Sequence, residues 1–457
     1  MNKATLNRQN IFMKTLITNA KLINEGKIIE TDLLISGQRI EKIAKHITAT
    51  PTDKVIDAAG KYLMAGIIDD QVHFREPGLI HKATIYSEAK AAVAGGVTTF
   101  MEMPNTVPNA LTQELLQNKY DIAAKTSLAN YSFFMGVSND NLEEALKTNP
   151  KNVCGLKIFM GSSTGNMLVD NEQTLHNIFS KSSLLIATHC EDEGIIRQNS
   201  ELYRNLYGDN VPQHVHHSIR NEVACLKSSM LASSLAKKYG TRLHILHITT
   251  EEETNLFDNT IPLKDKKITS EVCVHHLYFD SSDYFRLGSQ IKCNPAVKES
   301  RHKKAIFQAL LDDKIDVIAT DHAPHTWEEK QQNYWKSPSG VPLIQHTLLI
   351  MLDFYKKGQI SLEKIVEKMC HAPAVCFQIA ERGFVKEGYY ADLVLFDLEA
   401  DTTVTKENIL YQCAWSPFEN HTFSGQITHT FVSGHLAYEH GNFNESKTGK
   451  RIEFNRL

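Results

Sequence analysis

The chain has 457 residues, of which 42% are hydrophobic and 22% charged, and its formal net charge is -4. That balance suits a globular protein with a sizeable core. It offers no basic field for nucleic acid, no Lys/Arg run for a membrane surface and no apolar run long enough to span a bilayer. The expected partner is a small molecule.

In chain order, residues 1–14 are polar and lack the apolar segment of a secretion signal. They read as an N-terminal extension, with Met13 an alternative start. The eight cysteines are scattered without CxxC pairs, which fits reduced thiols and a cytoplasmic address. Residues 15–63 alternate short β-type runs with turns, and a similar character returns over residues 384–457. Those flanks predict one small, discontinuous β domain formed by both chain ends.

Residues 64–383 alternate strand-like and helix-like segments. The predicted strands are Ile67–Phe74, Thr98–Met103, Ala129–Gly136, Gly155–Met160, Leu184–His189, Arg242–His247, Thr269–His275 and Asp316–Asp321. Helical patterns separate them, as at Thr84–Ala94, Thr112–Lys125, Glu222–Lys238 and Arg301–Asp312. Eight such alternations predict an α/β fold, a (β/α)₈ TIM-type barrel. A doubly wound open sheet is the alternative, but no GxGxxG opening supports it.

Barrels carry their chemistry at the C-terminal ends of the strands, and polar residues stand there. The first strand ends Asp69-Asp70-Gln71-Val72-His73-Phe74-Arg75. A His-x-His at this place would send two imidazoles into one pocket, yet its first position is Gln71. By period two Gln71, His73 and Arg75 share a face and Asp70 takes the other. Taken alone, His73 equally suits a polar residue where a strand surfaces. Lys157 lies inside an apolar strand, where an ammonium must find a partner or lose its charge. An ion pair is the commoner fate; reaction of the neutral amine with CO2 to a metal-bridging carbamate is the other. His189 and His247 each close an apolar run, as metal ligands on a barrel rim do. His244, three residues before His247, faces the other way. Asp321 ends the last strand, suited to metal binding and proton transfer or to a helix N-cap.

Two further histidine groups are weaker candidates. His214, His216 and His217 form the only literal His-x-His, but in a polar loop, where a solvated or supporting role is expected. His275 and His276 fit either a core or a supporting place. The loop Ser337–Gly340 is expected to border the site.

Together these residues resemble the amidohydrolase superfamily, and in detail the dihydroorotases of the long, bacterial class I type. The stretches that carry the resemblance are GIIDDQVHFREPG (66–78), AGGVTTFMEMPNT (94–106), GLKIFMGSSTGNM (155–167), THCEDE (188–193), LHILHITT (243–250), EVCVHH (271–276), KCNPAVK (292–298), DVIATDHAPH (316–325), ADLVLFD (391–397) and WSPFENHTFSG (415–425). The resemblance implies metal ligands at His73, a carbamylated Lys157, His189, His247 and Asp321, with Asp321 also the catalytic proton carrier. It implies substrate contacts at Arg75, Asn105, Asn294 and His325. The implied cofactor is zinc, one or two ions per chain, and the implied reaction is reversible cyclisation of N-carbamoyl-L-aspartate to L-dihydroorotate in pyrimidine biosynthesis. A homodimer is the assembly expected by analogy. Gln71 departs from the pattern, because a neutral amide oxygen is a poorer zinc ligand than imidazole. The site of His189, His247 and the Lys157 carbamate should therefore hold zinc well, and the His73 side less firmly. Two alternatives stay open: another cyclic amidase of the hydantoinase or allantoinase kind, or a non-catalytic dihydroorotase-like subunit supporting aspartate transcarbamoylase.

Overall fold

The computed structural model describes residues 14–161 and 166–456; most of the expected N-terminal extension, residues 1–13, lies outside the described residues. The chain opens with β1 (Thr15–Asn24), β2 (Lys27–Ser36), β3 (Arg39–Ala44), β4 (Lys54–Asp57) and β5 (Tyr62–Ala65). The barrel strands follow as β6 (Ile67–Val72), β7 (Val97–Glu102), β8 (Asn130–Phe133), β9 (Met135–Gly136), β10 (Leu156–Phe159), β11 (Ile186–His189), β12 (Leu243–Ile245), β13 (Ile268–Cys273) and β14 (Val317–Ala319). The chain returns to β structure with β15 (Leu393–Thr403), β16 (Thr422–Val432), β17 (His435–Glu439) and β18 (Asn442–Phe443).

Neighbouring barrel strands pair in parallel. Parallel strands buried on both faces need near-continuous apolar runs, which is what the sequence supplies. β8 and β9 are one strand interrupted at Phe134, whose N–H donates to Glu102 O at 3.0 Å. The ring closes where Val72 bridges His322 in parallel and the His73 N–H donates to His322 O at 2.7 Å. This is the expected (β/α)₈ barrel. The intervening helices include Ile85–Ala94, Gln113–Thr126 and Glu222–Tyr239, started by Thr84, Thr112 and Asn221, whose side chains accept backbone N–H groups of the first turn.

One strand boundary needs correction, and one strand is irregular. The seventh strand was expected to run to His275, but it stops at Cys273, and His275 and His276 sit in a short helix, Val274–Tyr278. A short apolar run such as Val272–Leu277 fits a strand or a buried helical turn equally, so periodicity cannot place that boundary. In β6, the register against β7 slips between Asp69 and Val72. A bulge interrupts strict alternation, and Asp70 meets His244 of β12, its carboxylate 3.1 Å from Nε2. Asp70 still does not line the pocket described below.

The chain ends form a nine-stranded sheet in the order β18-β17-β16-β15-β5-β1-β2-β3, with β4 pairing β1. β5 lies parallel to β1 and antiparallel to β15, so this sheet needs both ends of the chain. Gly66 leads straight from β5 into the barrel, its N–H donating to Asp392 O at 2.8 Å. The Asp392 carboxylate also accepts from Asn130 Nδ2 at 2.9 Å and Ser433 N at 2.6 Å, and pairs with Arg382, both side chains 3% exposed. Among the described residues, no helix is long and apolar enough to cross a membrane. Removing one partner of a buried ion pair typically costs about 3–5 kcal/mol. Arg382→Met is therefore expected to lower unfolding free energy by about that much, read from the shift in denaturation midpoint.

Candidate active site

A cavity of about 280 Å³ opens where the barrel strands end, and all the residues expected at the site line it: His73, Lys157, His189, His247, Asp321, Arg75, Asn105, Asn294 and His325. Gln71, Phe159, Ala323 and the loop residues Pro338, Ser339 and Gly340 complete the wall.

The rings of His73 and His189 are oriented from behind. His73 Nδ1 lies 2.8 Å from Asn105 Oδ1, so it carries the proton and donates there. Its Nε2 lone pair then faces Asp321 Oδ1 at 3.1 Å. His189 donates from Nε2 to Glu191 Oε2 at 2.8 Å, and its Nδ1 faces His247 Nε2 at 2.9 Å. Burial pushes the pKa values of His73, His189 and His247 below the ordinary imidazole value, which keeps these rings neutral. Lone pairs aimed at a carboxylate or another imidazole fit a shared cation, and a ligating histidine that donates its other N–H to a carboxylate or amide oxygen is the usual arrangement behind a metal. These residues fit a metal site.

Glu191 is itself fixed by Arg220, whose Nε and terminal nitrogen donate at 3.0 and 2.5 Å. Burial opposes its ionisation, yet Arg220 and His189 hold its carboxyl well below the usual range. Lys157 is 1% exposed, and its ammonium nitrogen lies 4.5 Å from the Phe159 ring. It forms no ion pair among the described residues, and burial brings its pKa down to about 7. Much of it is therefore neutral amine at physiological pH. Asp321 does not cap a helix; the next one, Trp327–Lys330, is capped by Thr326. Its Oδ1 accepts from Gln71 Nε2 at 3.1 Å. Arg75, His247 and Asp321 have positive φ angles of 69°, 43° and 47°, a sparsely populated region for non-glycine residues that clusters at functional sites.

The opposite part of the pocket is cationic. Arg75 donates from Nε to Pro324 O at 3.0 Å and has a terminal nitrogen 3.0 Å from His325 Nε2. Lys82 Nζ reaches His325 Nδ1 at 3.1 Å and pairs with Glu329 at 3.1 Å. Burial and the nearby Arg75 keep His325 neutral, well below its ordinary value. Lys330, 0% exposed, donates to the carbonyls of Pro338 at 3.0 Å and Gly340 at 2.9 Å, which pins the expected bordering loop. At Gly340 a Cβ would lie 2.3 Å from Ala323 O, so glycine is required for this close approach.

Sequence reasoning missed Glu191, Arg220, Lys82, Glu329 and Lys330. The only available signal was charge inside otherwise apolar or motif-rich stretches. The literal His-x-His does not converge. His214 stacks on Phe285 at 4.6 Å, His216 bonds Tyr334 Oη and Cys293 O at 2.8 Å each, and His217 pairs with Glu299 at 3.1 Å. Two other buried groups do converge, Asp70–His244–Glu271 and Cys273–His275–His276. In the first, hydrogen bonds to Asp70 and Glu271 outweigh burial and raise the His244 pKa to about 9, while burial beside Asp70 pushes Glu271 well above the usual range. His244 Nε2 sits between the two carboxyl groups, 3.1 Å from Asp70 and 3.3 Å from Glu271.

The profile of the Amidohydrolase family matches residues 62–437, and the chain belongs to that family, in its dihydroorotase branch. The dihydroorotase of Methanosphaera stadtmanae is 30% identical over 425 residues, covering 92% of this chain and 95% of that protein. The dihydroorotase of Enterococcus faecalis is 31% identical over 444 residues, covering 93% and 99%. Among solved structures, the L-hydantoinase of Arthrobacter aurescens superposes with a TM-score of 0.91 at 26% identity, covering 97% of this chain and all of that one. The chain is thus a cyclic amide hydrolase of a family whose members are typically metal-dependent. Removing the oxygen that orients a ligating histidine typically weakens metal binding about 10–100-fold. Asn105→Ala is expected to do so here, measured by chelator competition.

Proposed function

We propose that this pocket is the active site of a zinc-dependent dihydroorotase, interconverting N-carbamoyl-L-aspartate and L-dihydroorotate in pyrimidine biosynthesis. One observation carries the substrate choice. Arg75 is a buried guanidinium with no ion-pair partner among the described residues, beside a neutral His325, and a buried cation left unpaired calls for an anion. A substrate carboxylate in the planar fork of the guanidinium supplies it. A hydantoin ring without that carboxylate leaves the charge unanswered. The non-catalytic reading is disfavoured because the donors at His73, Lys157, His189, His247 and Asp321 are all retained in the pocket.

These five residues would hold one or two zinc ions, the His73 side less firmly because Gln71 offers a neutral amide. The neutral amine of Lys157 adds to CO2: the N–C bond forms, an amine proton leaves to solvent, and the resulting carbamate presents two oxygens that share one negative charge. Bound zinc supplies an acidified water and polarises the ring carbonyl. Arg75, with Asn105 and His325, grips the carboxylate, and Asn294 reads the amide edge of the ring. Asp321 takes the proton of the attacking water and delivers it to the departing ring nitrogen; in the cyclising direction the same carboxylate works in reverse.

Asp321→Ala is expected to abolish turnover in both directions while leaving the melting temperature near that of the wild type. Zinc-replete wild-type protein inactive in both directions overturns the proposal. Gln71→His restores an imidazole donor, and isothermal titration should then show tighter binding of a second zinc equivalent.

A further inference from the structure

Beside the catalytic pocket, at the end of β13, Cys273, His275 and His276 place one donor atom each within 4.8 Å of one another. All three side chains are buried, at 0, 1 and 3% exposure. None lines the catalytic cavity, whose wall contains no sulfur among the described residues. Among the described residues, no hydrogen bond of good geometry reaches either ring nitrogen of His275, which has only a poorly formed contact with the Thr320 backbone, or Nδ1 of His276. Buried polar nitrogens are nearly always satisfied, and an unsatisfied one asks for an explanation such as an ion. The other nitrogen of His276, Nε2, lies 3.1 Å from Pro295 O. That carbonyl fixes the proton on Nε2 and leaves the Nδ1 lone pair available, the arrangement that supports a ligating histidine.

We propose that Cys273, His275 and His276 bind a zinc-type cation at a site distinct from the catalytic pocket. A thiolate and two imidazoles form a borderline-soft donor set suited to zinc, with the fourth tetrahedral corner left over. Binding displaces the thiol proton to solvent. The bound ion joins the end of β13 to the short helix after it. Through the Pro295 carbonyl it also bears on the segment that carries Asn294 into the catalytic pocket. Cys273 Sγ lies 3.8 Å from Gln71 Oε1, so the site also adjoins the position where the expected first-strand histidine is replaced.

The test loads the full-length protein with cobalt(II) chloride alone and records the near-ultraviolet thiolate-to-cobalt charge-transfer band beside the bound-metal count. The catalytic donors are nitrogen and oxygen, so that band reports only a sulfur-ligated ion. The expected result is a band corresponding to one thiolate-bound cobalt per chain. Cys273→Ser and, separately, His276→Gln should abolish it and remove one equivalent of metal, whereas Cys190→Ser and His189→Ala should retain it. Cobalt-loaded wild type without the band, wild type that binds no cobalt, or a band that persists in Cys273→Ser overturns the proposal. A band in a protein without dihydroorotase turnover sinks the catalytic reading alone; turnover without a band sinks this one alone.

Discussion

The seam between β6 and the end of β14 is the constraint on which the rest of the molecule depends. It is fastened residue by residue. The Asp69 carboxyl meets Thr320 N at 3.2 Å and Thr320 Oγ1 at 2.6 Å, Gln71 donates to Asp321 at 3.1 Å, His73 N donates to His322 O at 2.7 Å, and Arg75 donates to Pro324 O at 3.0 Å. A barrel cannot close without joining its first and last strands. Here the same contacts set the separation of His73 and Asp321 and aim Arg75. Burial pushes the Asp69 carboxyl up to about 8, so near neutrality it holds a proton and the seam does not bury a bare charge. His322 completes it from behind, with Nε2 2.8 Å from Glu88 and Nδ1 accepting from Leu343 N at 3.0 Å.

Around this seam, the charges divide into two kinds. Three ion pairs support the pocket from outside: Glu191 with Arg220, Glu102 with Lys119 at 2.5 Å, Lys82 with Glu329. Of the groups that line it, the Arg75 guanidinium has no ion-pair partner among the described residues, and Lys157 has none either but is held largely as neutral amine by burial. Fully paired polar networks are rigid, and dipoles held rigidly in a dry cavity act on a reacting group without the cost of reorienting. The unpaired guanidinium is the charge left to meet a ligand. The positive φ angles of Arg75, His247 and Asp321 belong to the same logic, since strained backbone persists only where its surroundings over-determine it.

The barrel was legible because its strands are apolar on both faces and its helices start at polar caps, two signals that do not depend on tertiary context. The site was legible because polar residues interrupt those apolar runs at the strand ends. What stayed hidden depends on contacts far apart in sequence. No spacing links Glu191 to Arg220 or Lys330 to the carbonyl of Gly340, and no period reveals the slip in β6 that brings Asp70 to His244. The end of β13 failed for a different reason. Val-Cys-Val-His-His-Leu is a good buried strand and a good buried turn, and only the packed structure chooses between them.

Gln71 is the residue whose meaning depends most on both kinds of information. From the sequence it is a lost ligand. In the fold its amide has two ends: Nε2 donates to Asp321 Oδ1 at 3.1 Å, and Oε1 faces Cys273 Sγ at 3.8 Å. An amide has a donor on one side and an acceptor on the other, whereas a ligating imidazole would direct its lone pair at the metal and offer Asp321 no donor. The donation to Oδ1 fixes the Asp321 carboxylate in rotation and leaves Oδ2 without a hydrogen bond among the described residues. On the proposed reading, Gln71 takes the place of a ligand on the His73 side and, in exchange, orients the group proposed to carry the proton. Weaker metal binding and a better-held Asp321 are then two expected consequences of one side chain.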